Sequence, residues 1–254
     1  MKKWAFALLF FVTGAMAAPV VHVYGPGGPA PAMKAAAAEY GKKNGVQVVV
    51  QAGPTPKWEN GARQNADMIY SGSEAMMSDF CKLFGEQIVP ETVMPVYLRP
   101  AAILVRQGNP RNIQGLADLA GKKVKILVTH GAGQVGMWED IAGRLGNIAT
   151  VRAVRENIGF FAPNTGAARQ TWLDDRSFDA WLVFNIWGIS NPGDGEIVPV
   201  EPEYRVYRPM DIALTREGQK NDAAAGFYRF ITSEEGRAIF EKYGWLENAA
   251  TNRR

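Results

Sequence analysis

Four apolar segments of this chain each run into a loop of Gly, Pro, Ser and Thr and then into a helix-forming stretch. Val20–Tyr24 leads into Gly-Pro-Gly-Gly-Pro (25–29) and Val46–Gln51 into Ala-Gly-Pro-Thr-Pro (52–56). Asp67–Tyr70 leads into Ser-Gly-Ser (71–73) and Val124–Val128 into Thr-His-Gly-Ala-Gly (129–133). Each helix start leaves backbone N–H groups without intrahelical partners and carries a partial positive charge. Small loop residues let a ligand approach that backbone. Strands alternating with helices imply an α/β fold, and four such turns point to a cleft that holds a small anion.

Residues 1–17 read as a cleavable export signal: Lys2 and Lys3, an apolar run Trp4–Val12, and Ala15-Met16-Ala17 as the cleavage site. The run is shorter than the roughly 20 residues of a membrane span. No Cys follows the site for a lipid anchor, so the expected destination is the periplasm. The chain carries 28 Lys and Arg against 25 Asp and Glu, and two of those cations lie in the signal. The remainder is close to neutral, which leaves no field for nucleic acid. Cys81 is the single cysteine, so no internal disulfide forms. It sits in an apolar helical stretch, where inert packing is expected. With His22 and His130 the only histidines, neither a metal site nor a catalytic constellation is expected.

Further along, Met33–Lys43 and Glu74–Phe84 read as helices, and Thr92–Arg106 as an extended apolar segment broken by Pro95 and Pro100. Thr150–Arg155 reads as a strand, Thr165–Asp174 as a helix, and Phe178–Phe184 as a strand apolar on both faces. Arg205–Arg208 reads as extended, and Asp222–Ile231 and Glu235–Lys242 as closing helices. Breaks near 97–100 and 201–204 predict a discontinuous first lobe, 18–98 plus 205–254, and a second lobe, 99–204. A ligand would then lie between lobes that close on it.

Gly27 and Gly28 form the first candidate anion loop. Thr55 offers a hydroxyl after the second strand. Ser71, Gly72 and Ser73 combine hydroxyls with backbone N–H groups at a strand's carboxyl end, where ligands of α/β folds gather. Arg99, next to the expected hinge, can reach an anion with its planar fork. His130 is read either as capping backbone or as a ligand donor. Thr165 opens a helix, and Asn185-Ile186-Trp187 emerges from the buried strand at the cleft rim.

Gly131-Ala132-Gly133-Gln134-Val135-Gly136 is a complete G-x-G-x-x-G after a strand, with Glu156 beyond the next one. It allows an alternative reading, a secreted NAD-dependent oxidoreductase. Its place outside the first βαβ unit, in an exported chain, favours an anion-binding helix start instead.

Segments 22–33, 66–74, 128–140 and 179–187 together resemble ABC-type periplasmic solute-binding proteins of the molybdate/sulfate-binding superfamily. Within it they resemble accessory colonization factor C and the related major antigenic surface peptide. The resemblance implies a type II periplasmic binding protein fold, with a mostly parallel sheet flanked by helices in each lobe and the cleft between them. It implies capture of a small anion, a sulfate-like oxyanion or a carboxylate or phosphorylated three-carbon acid, without catalysis or cofactor. It carries over Gly27, Gly28, Ser71, Ser73, Gly131, Gly133 and Gln134 as contacts. It also implies an ABC permease or chemoreceptor as partner and pairing of some relatives as homodimers. A surface adhesin with a vestigial cleft is the other alternative.

Overall fold

The computed structural model describes residues 18–131 and 133–247. The signal expected at 1–17 lies outside these residues. Among the described residues nine strands form one sheet, eight of them along the path β2-β1-β3-β9-β4-β7-β5-β6 and the ninth, β8, paired to β4 off that path. The first four strands are β1 (Val20–Gly25), β2 (Gln47–Ala52), β3 (Met68–Tyr70) and β4 (Met94–Val105). The others are β5 (Ile126–Thr129), β6 (Ile158–Ala162), β7 (Ala180–Phe184), β8 (Glu196–Pro199) and β9 (Tyr207–Leu214).

Strand β4 belongs to both halves of the molecule. Its residues Met94–Pro100 pair with β9, whereas Ala101–Val105 pair with β7 and β8. The outer strands pair in parallel, β1 with β2 and β3, and β5 with β6 and β7. The central pairings through β4 and β9 are antiparallel. Each half is therefore a mixed sheet, because the strands that cross between halves run back against the βα units. The result is a two-lobed α/β fold.

The helices between β1 and β4 are α1 (Ala30–Asn44), α2 (Glu59–Asn65) and α3 (Glu74–Phe84). Those between β4 and β7 are α4 (Leu116–Gly121), α5 (Met137–Ala142), α6 (Ile148–Asn157) and α7 (Thr165–Asp174). The rest are α8 (Asn185–Ser190), α9 (Arg216–Lys220), α10 (Asp222–Ile231) and α11 (Glu234–Lys242).

Strand residues alternate between helix layers, as the period of two requires. Val21, Val23, Met68, Tyr70, Ile126, Val128, Ala180 and Leu182 enter the main core. Tyr24 and Ile69 face a second cluster built on Trp58, Phe80 and Phe84. Leu127, Trp181 and Val183 face a third with Trp172. Burial on both faces explains the unbroken apolar runs of these strands. Cys81 packs half-buried against the second cluster, and burial raises its thiol above the ordinary range.

One expected element is overturned. Thr150–Arg155 is not a strand but the body of helix α6. Its β-branched residues favour a strand only weakly. The Asn147 side chain accepts from the Ala149 N–H and caps the helix, which buries Val154. The strand follows it, at Ile158–Ala162. Strand β9 also runs on well past the short extended piece expected at Arg205–Arg208, to Leu214.

Candidate functional site

The loops after β1 and β3, the end of β7 and the starts of α1 and α7 converge on Arg99, which comes from the crossing strand β4. They enclose a cavity of about 240 Å³. Pro26, Gly27, Gly28 and Pro29 line it from the β1–α1 loop, with Gly53, Pro54 and Gly72 beside them. Gln134, Asn164, Thr165 and Gly166 line it from the other half. Val183, Phe184, Ile186 and Trp187 form the apolar wall. Among the described residues no Asp or Glu lines the cavity.

Arg99 is 3% exposed. Its Nη2 donates to the Gly72 carbonyl at 2.5 Å, and its Nε is buried without a partner. The guanidinium carbon stands 3.9 Å from the Phe184 ring centroid and 5.2 Å from that of Trp245. Burial above all, and the charge of Arg208, push its pKa down to about 9, which leaves it a cation at neutral pH. An unpaired cation in a dry site costs free energy until an anion meets it.

Two other buried polar atoms at this cavity lack partners, Trp187 Nε1 and Gln134 Oε1. Gln134 Nε2 is 2.9 Å from the Thr165 hydroxyl. That hydroxyl both donates and accepts, so the contact survives with either end of the amide on it, and the other end stays buried without a partner. Two helix N-termini add positive potential. At α1 the N-cap is Pro29, which makes no capping hydrogen bond through a side chain. At α7 Asn164 caps Ala167 and so leaves the first N–H groups, at Thr165 and Gly166, outside that bond.

The cavity opens into a larger outer groove of about 750 Å³, which shares Pro26, Gly53, Pro54 and Asn164 with it. Thr55, Ser73, Glu74, Asp79, Gly133 and Arg208 line this groove. Loops from the two halves touch across it: a Cβ on Gly133 would lie 3.0 Å from the Gly72 carbonyl oxygen. The described form is therefore one in which the halves meet.

Of the residues singled out in the sequence, Gly27, Gly28, Gly72, Arg99, Gln134 and Thr165 come together at the inner cavity, and Thr55, Ser73 and Gly133 at the outer groove. Ser73 is also the N-cap of α3, accepting from the Met76 N–H. Four line neither space. Ser71 is buried, its hydroxyl 2.7 Å from Asp211 Oδ2. His130 is exposed and stands edge-on to Phe161. At Gly131 a Cβ would lie 2.2 Å from the Pro163 carbonyl oxygen, so this glycine permits a close loop approach. Asn185 donates to the Gly244 carbonyl.

The G-x-G-x-x-G run opens only the six-residue helix α5. Glu156 lies exposed on helix α6 rather than at the end of a strand beside β5. The geometry that a dinucleotide needs is not assembled there. Among the described residues no group of three or more His, Cys, Asp or Glu is placed to hold a metal ion.

Sequence reasoning did not reach Phe184, Trp245 or Asp211. Phe184 ends an apolar strand and looks like core. Trp245 lies far along the chain in a segment without a motif. Trp187 carried a visible signal, an indole three residues past a buried strand.

A model of the bacterial extracellular solute-binding protein family matches residues 21–246. The crystal structure of Peb3 from Campylobacter jejuni is similar at 38% identity, with a TM-score of 0.81. The match covers 90% of this chain and 100% of that one. A structure of PEB3 with bound L-phospholactate matches at 38% identity and a TM-score of 0.82, with the same coverage. The periplasmic molybdate-binding protein of Azotobacter vinelandii shares the fold, at 16% identity and a TM-score of 0.69, over 89% of this chain and 98% of that one. No curated protein sequence matches the chain.

Proposed function

This chain belongs to the family of bacterial extracellular solute-binding proteins, and on that premise we propose that it captures a small organic anion between its lobes in the periplasm and hands it to an ABC permease, without catalysis. The observation that carries this reading is the buried, carboxylate-free cavity around Arg99. There Arg99 and Trp187, whose Nε and Nε1 are buried without partners, line a space bordered by two helix starts. Such groups hold negative charge by fixed donors and a cation that need not reorganise.

Size favours an organic acid over a bare oxyanion. At about 30 Å³ of liquid per water, 240 Å³ is the share of about eight waters. A tetrahedral oxyanion fills only part of that, and the apolar wall of Val183, Phe184 and Ile186 suits a carbon skeleton. The L-phospholactate bound to PEB3 has that character, a phosphorylated three-carbon acid. Lobe boundaries at 98/99 and 204/205 are supported by the change of pairing partner in β4 between Pro100 and Ala101 and by the start of β9 at Tyr207.

Thermal unfolding of the refolded chain without its first 17 residues tests the reading. L-phospholactate at about 100 times its dissociation constant should stabilise by about 2.7 kcal/mol. Sulfate and molybdate should stabilise less at equal concentration. A shift with NAD alone, or no shift with any of a panel of phosphorylated and carboxylic acids, would overturn it.

A further inference from the structure

We propose that Asp211 is a positioning residue of the anion site, and that it holds the loop Ser71–Ser73 in its ligand-ready form as a neutral carboxylic acid. This rests on the reading of the cavity as an anion site. Asp211, on β9, is fully buried, and its Oδ2 lies 2.7 Å from Ser71 Oγ. The same hydroxyl oxygen lies 3.0 Å from the Ser73 carbonyl oxygen and 3.3 Å from the Asp211 backbone nitrogen.

A serine hydroxyl carries one proton. One proton makes one full-strength hydrogen bond, and shared between a carboxylate and a carbonyl it serves both weakly. With Asp211 ionised, at least one of these two short oxygen–oxygen contacts is underserved. With Asp211 neutral, its O–H donates to Ser71 Oγ, and Ser71 donates onward to the Ser73 carbonyl. The Asp211 N–H then adds a second donor to Ser71 Oγ, and every contact is served.

The surroundings agree with the neutral form. Glu74, at the start of α3, is the charged group that faces Asp211. On β4 the residue paired with it is Pro95, which brings no charge, and on β3 the neighbouring pair is Tyr70 with Ile212. Asp211 Oδ1 has no hydrogen-bond partner. Burial first, and then Glu74, opposed by the Ser71 contact, raise the Asp211 pKa to about 6.

The loop held this way carries two features of the site. The Gly72 carbonyl accepts from Arg99, and Gly72 and Ser73 meet Gly133 of the other lobe. If ligand closes on the neutral form, ionisation removes the competent population. Apparent affinity then falls by up to about tenfold per pH unit on the alkaline side of the transition.

The test compares wild type with Asp211→Asn, whose amide donates to Ser71 without titrating. L-phospholactate affinity is measured by calorimetry from pH 5 to 8. The ratio of the two proteins cancels the titration of the probe itself. It is expected to move in favour of the Asn variant as pH rises above about 6, and a ratio constant across the range overturns the proposal. Melting of the unliganded proteins supplies a second arm, which separates this proposal from the anion reading. A raised acid pKa means that the folded chain holds a proton the unfolded chain has lost, so wild-type stability drops from about pH 4 to pH 6. That drop is absent from the Asn variant if the proposal holds, and parallel curves overturn it. If L-phospholactate binds neither protein, the anion reading fails for this ligand while the melting arm still decides Asp211. If the variant does not fold, carbon-13 NMR of the wild-type Asp211 carboxyl reads the same proton. A midpoint well above the ordinary carboxylate range supports the proposal, and an ordinary one refutes it.

Discussion

The guanidinium of Arg99 stands 3.9 Å from the ring centroid of Phe184, so a cation from the crossing strand β4 rests on the last residue of β7. Trp245, from the C-terminal segment, approaches the same guanidinium at 5.2 Å. The cation is thus bracketed by aromatic rings from distant parts of the chain and held at the cavity with one nitrogen still unpartnered.

Arg99→Met should abolish anion capture. Arg99 is the one buried cation at the cavity among the described residues, and its removal is expected to cost at least about 100-fold in affinity, in the range of about 2–5 kcal/mol seen when a buried charge partner is truncated. The unliganded variant should melt above wild type, because an apolar side chain of similar length replaces a charge that lacks a carboxylate partner. Calorimetry and thermal unfolding read the two effects separately, and retained affinity would remove Arg99 from the site.

Trp187→Phe keeps an aromatic ring against Trp181, 5.7 Å away between centroids, and deletes the orphaned indole N–H. Affinity should fall about tenfold, the scale of one hydrogen bond to a charged ligand. Melting of the unliganded protein should change little. A loss of stability without loss of affinity would make the indole a packing group.

Gly133→Ala acts on closure. Gly133 has φ +79°, and the added Cβ would meet the Gly72 carbonyl oxygen at 3.0 Å. The backbone strain should cost about 1 kcal/mol. Separation of the two loops should weaken ligand binding beyond that. Small-angle scattering with saturating ligand is expected to show a more open particle than wild type.

His130→Ala should leave affinity within about twofold, since the imidazole is exposed and lines neither the cavity nor the groove. Changes of this kind away from packed or bonded groups usually alter stability by less than about 0.5 kcal/mol. A large drop in calorimetric affinity would mean that the His130 loop reaches the ligand in a form of the cleft other than the one described.

Local pattern carried most of the fold and part of the site. The apolar runs with small-residue loops placed β1, β3 and β5, and the helices expected at Glu74–Phe84 and Thr165–Asp174 are α3 and α7. The same local pattern misled at Thr150–Arg155, where β-branched residues belong to a helix whose cap and buried face outweighed propensity. It was silent on Trp245 and Asp211, which carry no motif.

What the sequence determined by itself was the class of fold and the chemistry at hand: alternating elements, glycine loops at helix starts, and a cation near a break in the chain. These follow from backbone geometry and from spacing within a few residues. Only the tertiary structure decided which of those loops converge. Ser71 meets Asp211 across 140 positions of sequence, and Arg99 meets Gly72, Phe184 and Trp245 from three separate segments. Such contacts depend on how two mixed sheets pack around one shared strand, and local spacing holds no record of that. The tertiary structure likewise set Ser71 in a buried contact with Asp211 and Trp187 at the cavity, because burial and hydrogen-bond satisfaction are settled by the whole core at once.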